Sequence, residues 1–402
     1  MPVGYAGFQV GAVTNDAKPC LAIIGGGQLG MFLCEAARKL GIKTLIITPD
    51  ANGPANDKAD SCIVSTFDCD GLAGRIAEQA DIVTYELEDI PLKLLDALKV
   101  EQDQGRLQVR PATATLSLLK NKARQKSWLK ENNFPSLPFI IVEDVSPGHQ
   151  GLLDFGLPFV QKVQTGGYDG YGVQVIETEA DLEKLWDVPS MIERYTPEPL
   201  ELGVVVARSA SGQLLNYEPV RMDFVAGQNI LDAVVLPSGL DDDINRQAIQ
   251  LARTVIETLE GVGVFAVEMF LVDGGELLVN EISPRVHNSG HHTLQTSPVS
   301  QFEQHVRAVC DLELVEPGTP SSAAVMRNLL YTEKIDFLMQ QPVSVIASKE
   351  NDVFLHWYGK KEARPGRKMG HVTCLCSNPQ ESERRVERFL ESQAEVNKGE
   401  LA

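Results

Sequence analysis

The segment Val264–His291 constrains this chain more than any other. It reads Val-Phe-Ala-Val-Glu-Met-Phe-Leu-Val, then Asp-Gly-Gly, then Glu-Leu-Leu-Val-Asn-Glu-Ile, and closes on Ser-Pro-Arg-Val-His-Asn-Ser-Gly-His. Apolar runs on both sides of Gly274-Gly275 predict a β-hairpin. With these two glycines as the loop, Glu268 falls directly opposite Glu281. Facing side chains in such a pair have Cβ atoms roughly 5 Å apart. Two carboxylates there repel by about 3 kcal/mol at an effective dielectric of roughly 20. A proton or a cation between them offsets that cost. With Asn280 beside Glu281, the pair offers hard oxygen donors of the kind Mg²⁺ takes. The bland alternative is two solvated carboxylates on an edge hairpin, and the apolar residues around both count against it.

An ordinary soluble composition surrounds the hairpin. The 402 residues suffice for several domains with cores of their own. Hydrophobic residues make up 43% and charged residues 23%, the proportions of a soluble globular protein. A net charge of -19 argues against nonspecific binding to nucleic acid or to an anionic membrane. An anionic substrate therefore needs a local basic cluster. No apolar run reaches the roughly 20 residues of a membrane span. Residues 1–19 read as a loose extension without a signal-peptide pattern. The seven cysteines are scattered and form no Cys-x-x-Cys, which predicts reduced thiols in a cytoplasm.

The expected fold class is mixed α/β and α+β. Leu21–Ile24, Lys43–Thr48, Ile63–Ser65 and Ile82–Thr84 read as short strands alternating with helical stretches. That pattern predicts a Rossmann-like parallel sheet over residues 20–115. Leu116–Asn132 reads as one basic helix. It opens a small α+β subdomain, residues 116–195, with strands at Phe139–Val142, Pro158–Val163, Val173–Ile176 and Ser190–Glu193. A larger, mostly antiparallel unit spans residues 196–320, with the hairpin and helices at Asp241–Leu259 and Gln301–Cys310. Residues 321–402 read as a small β-rich domain ending in a charged helix.

Four further motifs carry chemistry. Gly25-x-Gly27-x-x-Gly30 follows a strand and opens a helix, with Asp50 ending the next strand. Alone it fits a dinucleotide fingerprint or a plain βα turn; either way it presents N–H groups to an anion. Gly166–Gly172 is a glycine-rich hairpin tip downstream of Lys162, suited to covering phosphates. Glu193 ends one strand and Glu201 begins the next segment, where a ribose or an adenine needs acceptors. Lys360, Lys361, Arg364, Arg367 and Lys368 crowd one short turn, a phosphate clamp if they converge. His287 and His291 are spaced i, i+4, but Ser289-Gly290 between them predicts a loop and hydrogen-bonding roles rather than a zinc site.

Together and in this order, several runs resemble the ATP-grasp superfamily. They are Gly25-Gly26-Gly27-Gln28-Leu29-Gly30, Thr84-Tyr85-Glu86, Gly166-Gly167-Tyr168-Asp169-Gly170, Asn280-Glu281, Pro284-Arg285-Val286-His287-Asn288-Ser289-Gly290-His291, and Arg364-Pro365-Gly366-Arg367-Lys368 with Gly370-His371. Within the superfamily they are most similar to the N5-carboxyaminoimidazole ribonucleotide synthetase family of purine biosynthesis. The resemblance implies a pre-ATP-grasp domain, a two-part ATP-grasp domain and a small β-rich C-terminal domain, in a cytoplasmic homodimer. It implies ATP and Mg²⁺ as cofactors, and 5-aminoimidazole ribonucleotide and bicarbonate as partners. ATP would phosphorylate bicarbonate to carboxyphosphate, and the ribonucleotide amine would capture the carboxyl group. Glu268 and Glu281 would hold the metal. ATP would lie on Lys122, Lys162, Gly166, Gly167, Tyr168, Asp169, Gly170, Gly172, Glu193, Thr196, Glu201, Asn280 and Glu281. The ribonucleotide would lie on Gln28, Leu29, Glu86, Tyr168, Arg285, His287, Asn288, Ser289, Lys361, Arg364, Arg367 and Lys368. Arg285 would stabilise carboxyphosphate and His287 handle the proton, with Tyr168 and Asp169 beside them.

The sequence departs from the family pattern at several positions. Tyr171 and Gln164-Thr165 stand where basic residues are usual, Met31 and Lys122 where arginine is usual, and His292 where tryptophan is usual. The nearest alternatives are a formate-dependent glycinamide ribonucleotide transformylase, a noncatalytic nucleotide-binding homologue and, on the glycine turn alone, an NAD-dependent oxidoreductase.

Overall fold

The computed structural model describes residues 18–400 apart from 147, 149, 168–171, 226–228, 321, 341–343, 348–351 and 377. Three sheets organise these residues. The first holds β1 (Cys20–Ile24), β2 (Lys43–Thr48), β3 (Ser61–Val64), β4 (Ile82–Tyr85) and β5 (Gln108–Val109), all parallel, in the order β3-β2-β1-β4-β5. Its central strands β1, β2 and β4 are almost entirely buried because both faces are covered. Leu21 and Ile23 pack with helix α1 (Gln28–Lys39), while Ala22 and Ile24 serve the opposite core.

The second sheet is antiparallel, with β6 (Phe139–Val142), β7 (Phe159–Val163), β8 (Val173–Ile176) and β9 (Ser190–Arg194) in the order β6-β9-β7-β8. Val142, Phe159, Ile176 and Ile192 face its own core. The register puts Ile141, Met191 and Lys162 in one row and Glu193, Val160 and Val175 in the next, all on the opposite face. Helix α2 (Lys122–Glu131) precedes this sheet. The single basic helix expected over 116–132 is in fact two, Thr113–Leu119 and α2. Asn121 breaks it by taking the N-cap, its side chain accepting the Arg124 N–H at 2.9 Å. The break starts α2 at Lys122.

The third sheet has ten strands: β10 (Leu200–Arg208), β11 (Leu214–Asn216), β12 (Val220–Phe224), β13 (Leu231–Leu236), β14 (Gly263–Val272), β15 (Glu276–Ser283), β16 (Ala324–Leu330), β17 (Ser344–Ala347), β18 (Val353–Trp357) and β19 (Lys368–Cys374). The order is β15-β14-β10-β12-β13-β16-β19-β18-β17, with β11 on the side of β10. The C-terminal strands therefore extend the large sheet, through β13 and β16 pairing at Leu236 and Ala324. They also keep a core of their own, around Leu355, Trp357, Val372 and Phe389.

One apolar cluster ties the first sheet to the third. Phe32 of α1, Val205 and Val264 of the large sheet, Phe302 and Val306 of helix α3 (Gln301–Val309), and Tyr358 belong to it. His305 pins the same junction. Its Nδ1 accepts the Val264 N–H at 3.0 Å, so Nε2 carries the proton and donates to Thr84 Oγ1 at 2.7 Å. Burial pushes this imidazole down to about 3, which keeps it neutral.

Candidate active site

The Glu268 hairpin forms, but its turn is longer by one residue than the glycine pair suggests. Val272 pairs with Glu276, so Asp273, Gly274 and Gly275 make the loop. The register then shifts between Glu268 and Met269: Met269 pairs with Val279, yet Glu268 pairs with Glu281. Asn280 is the extra residue of a β-bulge. The two offsets cancel, so the expected pairing of the carboxylates holds. The bulge also serves the chemistry. In a regular strand Asn280 and Glu281 would point to opposite faces. Here Asn280 Oδ1 lies 3.2 Å from Lys162 Nζ and Glu281 Oε2 lies 2.7 Å from Lys122 Nζ, so both reach one cleft.

The repulsion between the two glutamates is relieved from both sides. Burial would raise Glu281, but Lys122, with Lys162 and His287 behind it, brings its carboxyl down to about 2. Burial, then the neighbouring Glu281 and Glu201, push Glu268 up to about 8. At neutral pH one carboxylate is ionised against a lysine and the other holds a proton. His287 faces this pair, its Nε2 3.2 Å from Glu268 Oε1 and its Nδ1 2.9 Å from Ser289 Oγ. Residues 288–290 form one 3₁₀ turn rather than an open loop. His291 is buried beyond it, its ring beside Phe32 and His371, so the two histidines share no ligand. Gly203 of β10 pairs with Glu268. A Cβ there would lie 3.2 Å from Ser289, so this glycine lets the polar tail close against the strand.

The inner face of the second sheet covers the cleft with apolar side chains and one ionic group. Glu193 Oε1 lies 2.7 Å from Lys126 Nζ, and Glu193 Oε2 lies 2.6 Å from Lys162 Nζ. Its carboxylate is therefore engaged by two lysines instead of being open to an adenine or a ribose. Glu201 stands at the mouth of β10, and burial pushes it up to about 7. Thr196 lies in the loop between β9 and β10. Gly166, Gly167 and Gly172 flank the hairpin tip, and a Cβ on Gly172 would meet Val163 at 2.4 Å. Tyr168, Asp169, Gly170 and Tyr171 lie outside the described residues.

The glycine turn of the first sheet holds an internal carboxylate. Gly27 and Gly30 donate their N–H groups to Glu86 Oε1 and Oε2 at 2.6 and 2.9 Å. A Cβ on Gly25 or Gly27 would come within 2.2 or 2.8 Å of Glu86. The glycines are thus explained by Glu86, at the place where a dinucleotide fingerprint would seat its pyrophosphate. Asp50 caps its own turn, accepting the Asn52 N–H at 2.8 Å. Nearby, Arg285 pairs with Glu88 at 2.9 Å, and Lys361 donates to Asn52 Oδ1 at 2.6 Å. The basic turn thereby reaches the first sheet. Within it Arg367 donates to the Glu362 carbonyl at 2.8 Å, Lys360 bonds the Lys368 carbonyl at 2.7 Å, and Arg364 is exposed.

Some expected site residues turn away from the cleft. Leu29 packs in the core with Phe32. Asn288 exchanges amide hydrogen bonds with Asn328 at 3.1 and 2.6 Å. Ser289 is fully buried, so both hold the His287 turn in place. Gln28 opens α1 beside Glu86. Three residues of the site escape a reading of the sequence. Lys126 sits one turn after Lys122, Glu88 two residues after Glu86, and Gly203 inside a strand. The i, i+4 spacing, the alternation and the strand glycine were the available signals.

Comparison with known proteins matches three segments of the chain. Residues 127–302 match the ATP-grasp domain, residues 19–120 the ribonucleotide synthetase preATP-grasp domain, and residues 324–385 the phosphoribosylaminoimidazole carboxylase C-terminal domain. The chain is 36% identical, over 93% of its length, to the phosphoribosylaminoimidazole carboxylase of Schizosaccharomyces pombe, of which it spans 68%. It is 34% identical, over 90% of its length, to the N5-carboxyaminoimidazole ribonucleotide synthase of Synechococcus elongatus, of which it spans 91%. The solved ADP complex of an N5-carboxyaminoimidazole ribonucleotide synthetase superposes with a TM-score of 0.82 at 32% identity, covering 94% of this chain and 98% of that one. An Aspergillus clavatus synthase bound to ADP and 5-aminoimidazole ribonucleotide superposes with a TM-score of 0.80 at 26% identity, covering 93% and 98%.

Proposed function

The chain belongs to the N5-carboxyaminoimidazole ribonucleotide synthase family of ATP-grasp ligases, and we propose that it joins bicarbonate to the amine of 5-aminoimidazole ribonucleotide with ATP as the energy source. The observation that carries this reading is the bulged hairpin. It turns Glu268, Asn280 and Glu281 toward Lys122 and Lys162, beside the sheet face that carries Ile141, Val160, Val175 and Met191.

The donor set suits Mg²⁺: hard oxygens only, and two carboxylates whose repulsion a divalent ion removes. Glu268 and Glu281, with Asn280 beside them, would hold the ion. Such an ion neutralises the charge of the transferring phosphoryl group. Lys122 and Lys162 would steady the phosphates from the other side, and Glu201 would accept a ribose hydroxyl. Bicarbonate oxygen attacks the γ-phosphorus and ADP leaves. The ribonucleotide amine then attacks the carbonyl carbon of carboxyphosphate, phosphate departs, and the nitrogen loses one proton. Arg285, held by Glu88, would stabilise the oxyanion. His287 would take the proton, its Nε2 standing 3.2 Å from the Glu268 carboxyl that orients it. Lys361, Arg367, Lys368 and Glu86 would bind the ribonucleotide where the basic turn meets the first sheet. A cytoplasmic homodimer completes the proposal, supported by the family and by seven free cysteines.

An ADP-release assay tests the reading. Release should require 5-aminoimidazole ribonucleotide and bicarbonate together, and sedimentation should give twice the chain mass. Release with formate and glycinamide ribonucleotide instead, or with no ribonucleotide at all, would assign the cleft to another ATP-grasp reaction.

A further inference from the structure

Lys126 has no place in the scheme above, yet it is among the most buried charges of the molecule. Its side chain is 2% exposed and its neighbour Glu193 is 1% exposed. Its Nζ donates to the Val279 carbonyl at 3.0 Å and pairs with Glu193 Oε1 at 2.7 Å. So placed, it is shut away from solvent. Glu193 uses its second oxygen on Lys162, at 2.6 Å. Lys162 is more open, at 13%, and lies on the cleft face. Its further contact, Asn280 Oδ1 at 3.2 Å, is neutral and cancels no charge.

We infer that Lys126 is a positioning residue: by sharing the Glu193 carboxylate, it leaves Lys162 with uncancelled positive charge for the phosphates of a bound nucleotide. The argument is one of counting in a dry place. Two lysines and one carboxylate leave one positive charge, and the surplus faces the cleft because Lys126 is buried deep between the sheet face and Val279 while Lys162 is the more open of the two. Without Lys126, one carboxylate would face one lysine at 2.6 Å. In a low-dielectric pocket that pair would cancel most of the field felt by a phosphate. Lys126 also ties Glu193 to Val279, the residue before the bulge at Asn280, so the same contact fixes the distance between the two walls of the cleft. The inference rests on the nucleotide reading of the cleft.

The test compares ligands that differ in charge. ADP and adenosine binding are measured with Mg²⁺ present for the native chain, for Lys126→Met and for Lys126→Met/Glu193→Gln, with thermal melting to verify folding. Lys126→Met should weaken ADP on the order of tenfold and leave adenosine within about twofold. The double variant removes one charge of each sign and should return ADP to near its native affinity. Equal losses for both ligands, or a double variant that does not recover, overturn the inference. If Lys126→Met does not fold, the double variant decides alone. A native ratio of ADP to adenosine affinity upholds the charge sharing, and a lowered ratio overturns it. A native chain that binds no ADP would overturn the nucleotide reading itself.

Discussion

Lys122 and Lys126 stand one turn apart on α2, and each meets a glutamate, yet the two pairs differ in kind. Lys126 and Glu193 are 2% and 1% exposed. Lys122 and Glu281 are 17% and 33% exposed. The first pair has left water, so its members depend on each other: removing one strands a buried charge. The second pair keeps solvent and is screened, so it exchanges partners cheaply. The same two residue types, on one helix face, give a fixed strut at the cleft wall and a replaceable counter-ion at the cleft centre. That difference suits a metal ligand, because Glu281 must stay ionised while empty and still release its lysine to a cation.

The largest expected effect probes the strut. Glu193→Ala leaves Lys126 and Lys162 facing each other without a carboxylate, and should cost about 3–5 kcal/mol, read from the urea midpoint at constant slope. An unchanged midpoint would erase the contrast between the pairs. Next comes the exchangeable site. Glu281→Gln removes a metal ligand and should lower ADP release on the order of 10²-fold. Its urea midpoint should stay within about 1 kcal/mol of native. A large loss of stability there would make Glu281 a second strut.

Much of this contrast was legible in the sequence, and the illegible part has physical causes. The parallel first sheet, the glycine hairpin tip and the facing glutamates follow from hydrophobic runs, glycine pairs and strand period. The bulge at Asn280 does not. A hairpin loop of two residues and a loop of three with a bulge give the same pairing at Glu268, and only the ladder distinguishes them. Glu86 was placed at the ribonucleotide by resemblance, but its grip on Gly27 and Gly30 is a contact between strand β4 and helix α1 that spacing alone cannot announce. Lys126 was invisible because a lysine on an amphipathic helix reads as solvated. Its partner, Glu193, lies 67 positions away and becomes a neighbour only when β9 folds over α2. The strands of residues 324–374 read as a separate β-rich unit because nothing local marks the pairing of β13 with β16.

Acidity offers a smaller, graded effect. Glu268 and Glu201 are raised from the ordinary glutamate range to about 8 and about 7, each chiefly by burial. A raised carboxyl binds its proton more tightly in the folded state. Its contribution to stability is therefore complete below the unfolded value of about 4.5 and is lost as pH rises through about 7 for Glu201 and about 8 for Glu268. Melting of the metal-free protein from about pH 7 to about pH 9, above the range in which the buried histidines respond, should show stability falling, by at most about 1.4 kcal/mol per pH unit for each group. Mg²⁺ with ADP should flatten the upper part of that slope, because ionised Glu268 then has a cation. A flat profile over that range would mean that both carboxylates are already ionised in the empty cleft.

The smallest effect, Lys122→Met, bears most directly on the comparison. Two relaxations are open to the empty variant. Solvent can reach Glu281, a third exposed, and Glu281 can share the proton that Glu268 already holds. The lost ion pair should therefore cost less than Glu193→Ala, which has neither relaxation. The proton should reveal the change better than the midpoint does. Without the ammonium at 2.7 Å, the Glu281 carboxyl should rise from about 2 toward the ordinary range, so one more carboxyl infrared band should titrate in the mildly acidic range in the variant than in the native chain. A cost as large as that of Glu193→Ala, with no new titration, would show that Lys122 is buried in function as Lys126 is in fact, and that the two pairs are one continuous structural network.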